Sequence, residues 1–140
     1  GSLLWTKQLG GSGFETIGDL TTNDTGEPIL TGGFFGTADF DPSTDQFKLT
    51  STRGDDDTLG DDDANTGDRD AFSYDTYVVR LDVDGRFGGA VSFGGVGDDY
   101  GQSVLIRDGM IGVAGFFEDT FDGLTTVEDE AIFIIELAGL

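Results

Sequence analysis

One short pattern occurs twice in this chain and constrains everything else. An apolar residue followed by Gly-Gly-x-Gly and an acid stands at Leu9-Gly10-Gly11-Ser12-Gly13-Phe14-Glu15 and again at Phe93-Gly94-Gly95-Val96-Gly97-Asp98-Asp99. The match runs on without a gap to Leu20 and Val104. The next turn shortens from Asp24-Thr25-Gly26-Glu27 to Asp108-Gly109, a loss of two residues, which sets Thr31-Gly32-Gly33-Phe34-Phe35 against Val113-Ala114-Gly115-Phe116-Phe117. Phe40-Asp41 then meets Phe121-Asp122, and Thr76-Tyr77-Val78-Val79-Arg80-Leu81 meets Ile132-Phe133-Ile134-Ile135-Glu136-Leu137. Self-similarity of this length marks a chain built from stacked units, each unable to bury its apolar face alone.

The units read as strands. Strands are expected over 3-9, 16-22, 28-35 and 75-82 in the first unit, and over 87-93, 100-107, 110-117 and 130-137 in the second. Asp84-Gly85 and Asp108-Gly109 each lie between apolar runs, as tight hairpins needing positive φ do. The 24 glycines and 12 phenylalanines suit short strands joined by tight turns. The expected fold is all-β: two four-stranded antiparallel repeats resembling β-propeller blades, in a propeller or a stacked β assembly. One domain spans 1-140, with a first repeat at about 1-86, carrying an insertion at 51-70, and a second at about 87-140. Phe34, Phe35, Phe116 and Phe117 are expected to be core between units, one of each pair on each face of its sheet.

Charge and missing residue types exclude several functions. The 28 acidic residues outweigh 7 basic ones, for a formal net charge of −21. A nucleic-acid partner needs a concentrated basic footprint, which is lacking, and no apolar run is long enough for membrane insertion by a helix. The chain has neither Cys nor His, so disulfides, thiol chemistry and Ser-His or Cys-His catalysis are ruled out. Gly10-Gly11-Ser12-Gly13 lacks the Lys-Ser/Thr of a phosphate loop. Carboxylates are abundant, but no pair stands out in an apolar setting that would raise one pKa, so a hydrolase fragment ranks last and the chain reads as no enzyme.

Eight aspartates crowd the insertion: Asp55, Asp56, Asp57, Asp61, Asp62, Asp63, Asp68 and Asp70, where the second repeat needs only Gly123 to Asp129. Oxygen side chains at Asp61, Asp63, Asn65 and Asp68 alternate as in loops that wrap Ca²⁺, the one cofactor the sequence admits. The spacing departs from an EF-hand. A solvated acidic loop is the competing explanation.

At these residues the chain resembles the bacterial β-propeller repeat family often called SBBP. The resemblance is carried by Leu4-Trp5-Thr6-Lys7-Gln8-Leu9 leading into Gly10-Gly11-Ser12-Gly13, by Gly33-Phe34 and Gly115-Phe116, and by Asp75-Thr76-Tyr77-Val78-Val79-Arg80-Leu81-Asp82, with Glu130-Ala131-Ile132-Phe133-Ile134 a looser copy. It departs from the pattern in the acidic insertion, in Ala90-Val91 replacing the Trp, and in having two units where a ring closes with about four to eight. The family's strand order implies that residues 1-9 complete the sheet ending in 130-137, within the chain, in a longer parent protein, or between copies. The resemblance also implies an extracellular or cell-surface structural, assembly or adhesive module. Its partners would be further copies, as homo-oligomer or polymer, or further blades of a parent protein. A glycan or protein ligand held by the loops 36-75 and 118-129 is the alternative.

Overall fold

The computed structural model describes residues 1-52, 72-125 and 130-140. In chain order the strands are β1 (Gly10–Gly11), β2 (Asp19–Thr22), β3 (Pro28–Phe35), β4 (Thr37–Asp39), β5 (Lys48–Thr50), β6 (Tyr74–Leu81), β7 (Phe87–Phe93), β8 (Asp99–Arg107), β9 (Met110–Phe117), β10 (Thr120–Phe121), β11 (Leu124–Thr125) and β12 (Ala131–Leu137). No helix occurs among the described residues. The fold is all-β and every strand pair is antiparallel. Sheet one has the order β2-β3-β6-β7, and sheet two the order β12-β9-β8. A small sheet, β1-β4-β5, and a ribbon, β10-β11, flank them.

The strand registers superimpose the two repeats residue by residue. In sheet one Glu15 bridges Phe34, and Asp19 stands opposite Thr31. In sheet two Asp99 stands opposite Phe117, and Ser103 opposite Ala114. Phe34 therefore corresponds to Phe117 and Thr31 to Ala114, one residue away from the alignment expected from the sequence. The turn between the Thr22–Pro28 pair holds five residues and that between Ile106 and Ile111 holds four, so it shortens by one, not two. Side-chain alternation enforces the correction, because a slip of one residue would turn every buried side chain of the strand outward.

Equivalent aromatic triads follow from this register. Phe34 meets Phe40 edge-on at 5.4 Å and Phe40 lies 4.9 Å from Tyr77. Phe117 lies 5.6 Å from Phe121, which stacks on Phe133 at 4.1 Å. All six rings are buried, each contributing roughly 1.5–3 kcal/mol of apolar burial. Phe35 and Phe116 lie on the opposite faces, half-buried, as alternation requires.

Two core clusters result. Between the sheets, Ile29 and Val78 of sheet one pack on Val104, Ile111, Val113, Phe117, Phe121 and Phe133. On the far face of sheet one, Phe34, Ala38, Phe40, Tyr77, Val79 and Leu81 form the second cluster, joined by Leu9, Leu49 and Phe87.

Two expectations change. β7, which opens the second repeat in sequence, is the edge strand of sheet one through its hairpin with β6. Residues 1-9 form no strand, and among the described residues sheet two has three. A strand needs a backbone partner for its N–H and C=O groups, and residues 1-9 have no strand beside them among the described residues.

Candidate assembly interface and a buried carboxylate pair

Both Gly-Gly turns are closed by their acids. Glu15 Oε1 accepts the Gly11 N–H at 2.9 Å, and Asp99 Oδ2 accepts the Gly95 N–H at 2.9 Å. The middle glycines are obligatory for a steric reason: a Cβ on Gly11 would collide with the Thr37 carbonyl, and one on Gly95 with that of Thr120.

What lies across the turns differs. A Cβ on Gly94 would stand 2.9 Å from Asp99 Oδ2 and closer still to the Asp75 carboxyl group, so only glycine fits between the two acids. Asp75 sits at the start of β6 and Asp99 at the start of β8, and the pair links the sheets. Asp99 is wholly buried and Asp75 nearly so. Thr52 donates its N–H and its hydroxyl to Asp75 Oδ2, at 3.0 and 3.1 Å. Among the described residues the Oδ1 atoms of both aspartates have no hydrogen-bond partner. Burial pushes Asp75 up to about 6 against the opposing pull of Thr52. Burial, reinforced by the negative charges of Asp75, Asp98 and Glu118, pushes Asp99 up to about 8. Burial thus favours the protonated form of both carboxyl groups, and the negative charge of Asp75 adds to that preference at Asp99. Asp98 turns outward from it and accepts the Tyr74 N–H at 3.0 Å. Burial also raises Glu118, helped by Asp98.

Sequence reasoning missed this pair because aspartate is the commonest acid here and pairs of it carry no signal. A signal existed in the repeat itself. Asp75 corresponds to Ala131, an acid where the other copy keeps an apolar side chain.

The second feature lies at the outer boundary of sheet two. β12 pairs with β9 on one side, and among the described residues nothing pairs with its other edge. Ile132 and Ile134, on its outward face, are each 79% exposed. Their counterparts in sheet one, Thr76 and Val78, are wholly buried against sheet two. Ala114, Phe116, Ile132 and Ile134 line a shallow groove on this face. A complementary exposure exists at the far boundary: Leu20 is 52% exposed, whereas its counterpart Val104 is 5% exposed at the contact between the sheets.

Side-chain sizes are exchanged between the inner contact and the outer faces. Inside, Gly101 lies against Thr31, leaving no room for a Cβ. Their counterparts are Ile17 and Ala114, large where the inner contact is small and small where it is large. Gly33 lies under the Tyr100 ring, and their counterparts are Phe116 and Thr16.

Residues 1-9 lie on the far face of sheet one. Leu9 packs in the cluster of Phe34, Tyr77 and Leu81, the Trp5 indole N–H donates to the Val83 carbonyl at 3.0 Å, and Trp5 and Lys7 cover Gly85.

Asp61, Asp63, Asn65 and Asp68 lie outside the described residues, as does most of the 51-70 insertion. The described part of the 36-75 loop contributes β4, β5 and the Thr52 donors to Asp75, and that of the 118-129 loop contributes β10 and β11. Among the described residues no group of three or more acids is arranged to hold a metal ion. Compared with protein-family models, curated proteins and solved structures, the chain matches none.

Proposed function

We propose that this chain is a non-enzymatic structural module, an assembly or adhesive unit acting outside the cell or at its surface. In this reading its sheets are propeller-type blades, and copies associate by sheet packing and by completion of a sheet between copies. The observation that carries the reading is the exposure of Ile132 and Ile134 on an edge strand whose outer side has no partner among the described residues, at positions that sheet one buries completely. An apolar face beside free backbone donors and acceptors favours strand addition, and association buries both features at once. The placement outside the cell rests on the family resemblance, with which a strongly acidic, cysteine-free chain is compatible.

Molar mass measured by light scattering across protein concentration tests the reading. The expected result is a mass above that of the single chain, growing with concentration toward a multiple of it. A folded single chain at every concentration overturns it.

A further inference from the structure

Resting on that reading, we infer that residues 3-9 of one copy add to β12 of a second copy in the register that β7 takes on β6. The repeat supplies the template. Leu9, Lys7 and Trp5 correspond to Phe93, Val91 and Gly89, because the Gly-Gly turns that follow are equivalent, so the residue in the place of Trp5 is Gly89 and not Ala90-Val91. β7 pairs Phe93 with Thr76, Val91 with Val78 and Gly89 with Arg80. Carried to β12, the same pairs set Leu9 opposite Ile132, Lys7 opposite Ile134 and Trp5 opposite Glu136 of the second copy.

The position of residues 1-9 supports this arrangement. β7 belongs to sheet one, yet Phe93 and Val91 pack into the cluster formed by the next sheet, with Phe133, Ile135 and Leu137. Leu9 packs in the equivalent cluster of sheet one, with Tyr77, Val79 and Leu81. Gly89 approaches Leu140, while Trp5 approaches Gly85 and Val83, close to the counterpart of Leu140. Residues 1-9 thus occupy the place of an outer strand of a further sheet stacked on the far face of sheet one. They cannot reach their own β12 from there, since they lie on the face of sheet one turned away from sheet two.

Charge and shape agree with a second copy as the occupant. Lys7 lands diagonally from Glu136 on the same face, a separation that long side chains span. The groove of Ala114, Phe116, Ile132 and Ile134 would receive Ile17 and Leu20, with Ile17 facing Ala114 as Gly101 faces Thr31 inside the chain. The contact is heterologous, joining one end of a chain to the opposite end of the next.

The absence of cysteine makes disulfide trapping clean. Chains carrying only Lys7→Cys are mixed with chains carrying only Ile134→Cys, oxidised, and resolved without reductant, with mass spectrometry reading the linked peptides. The expected product is a disulfide joining position 7 of one chain to position 134 of another, strongly enriched over either variant oxidised alone. Thr6→Cys with Ile134→Cys, which places the thiols on opposite faces, should link poorly. Wild-type chains that assemble while the Lys7→Cys and Ile134→Cys variants fail to link overturn the register and leave the assembly reading standing. Wild-type chains that stay single at every concentration overturn both.

Discussion

Sheet one and sheet two follow the same register yet differ in their surroundings. Among the described residues sheet one has four strands, and both of its faces carry a buried cluster; sheet two has three strands and one covered face. The difference teaches that in a repeat the environment of a side chain is set by what stacks upon its sheet, not by the sheet that carries it. Val78 and Ile134 occupy the same place in the same kind of strand, one wholly buried and the other on the surface.

The largest effect should come from charging that pair of positions. Val78→Asp buries an unpaired carboxylate between the sheets and should cost roughly 4 kcal/mol or more in chemical denaturation. Ile134→Asp should leave the single chain's stability within about 0.5 kcal/mol, as at an ordinary surface site, while abolishing association in light scattering. Equal destabilisation by both would break the comparison.

Removing a ring from the equivalent triads should instead affect both sheets alike. Phe34→Ala and Phe117→Ala should each cost about 3–5 kcal/mol, the range for emptying an aromatic site in a core. A much smaller loss at Phe117 would mean that sheet two is loosely packed in the single chain.

Next comes the carboxylate pair, which only the inner contact possesses. The folded pKa values of Asp75 and Asp99, about 6 and about 8, lie above the ordinary value of 3.8. The folded state therefore binds more protons than the unfolded one across this window, and stability must fall as pH rises from about 4 to about 8. A tenfold change in proton affinity is worth up to about 1.4 kcal/mol, and relaxation of the protein around the buried pair takes back part of it, so a loss on the order of 3 kcal/mol is expected. Asp99→Asn should flatten most of that slope in thermal melts at constant ionic strength and stabilise the protein at pH 8. An unchanged slope in Asp99→Asn would assign the pH dependence to general charge repulsion.

The smallest effect is general. Salt should raise the melting temperature modestly, because the Debye length falls from ~30 Å at 0.01 M to ~8 Å near 0.15 M and screens the surplus of acids. Sheet two's outer edge should gain more than the interior, so salt should promote association more than it promotes folding.

Much of this fold is legible in the sequence because the repeat contains its own control. The double occurrence of Gly-Gly-x-Gly-acid locates both turns, and the apolar runs locate β3, β6, β9 and β12 to within a residue or so at either end. The register of β9 differs by one, since Gly115-Phe116-Phe117 matches Gly33-Phe34 at one offset and places Phe117 on Phe34 at another; sequence identity favours the first and side-chain alternation the second. The outer strand at 3-9 is expected from its own pattern, but a strand is a relation between two segments. Asp75 carries one hint, the apolar Ala131 at its place in the other copy, but its pairing with Asp99 among 22 aspartates is not legible, because it arises from the proximity of two sheet ends.

The exchanged side-chain sizes carry an ordering rule. Gly101 against Thr31 fills the inner contact, and Ile17 against Ala114 would fill an outer one. A stack placing sheet one upon sheet one would face Ile17 with Thr31, an overfilled contact costing about 1–3 kcal/mol. A stack of sheet two upon sheet two would face Gly101 with Ala114 and leave a void. In the proposed stack only strict alternation would fill every layer, so volume alone would dictate the sequence in which layers succeed one another.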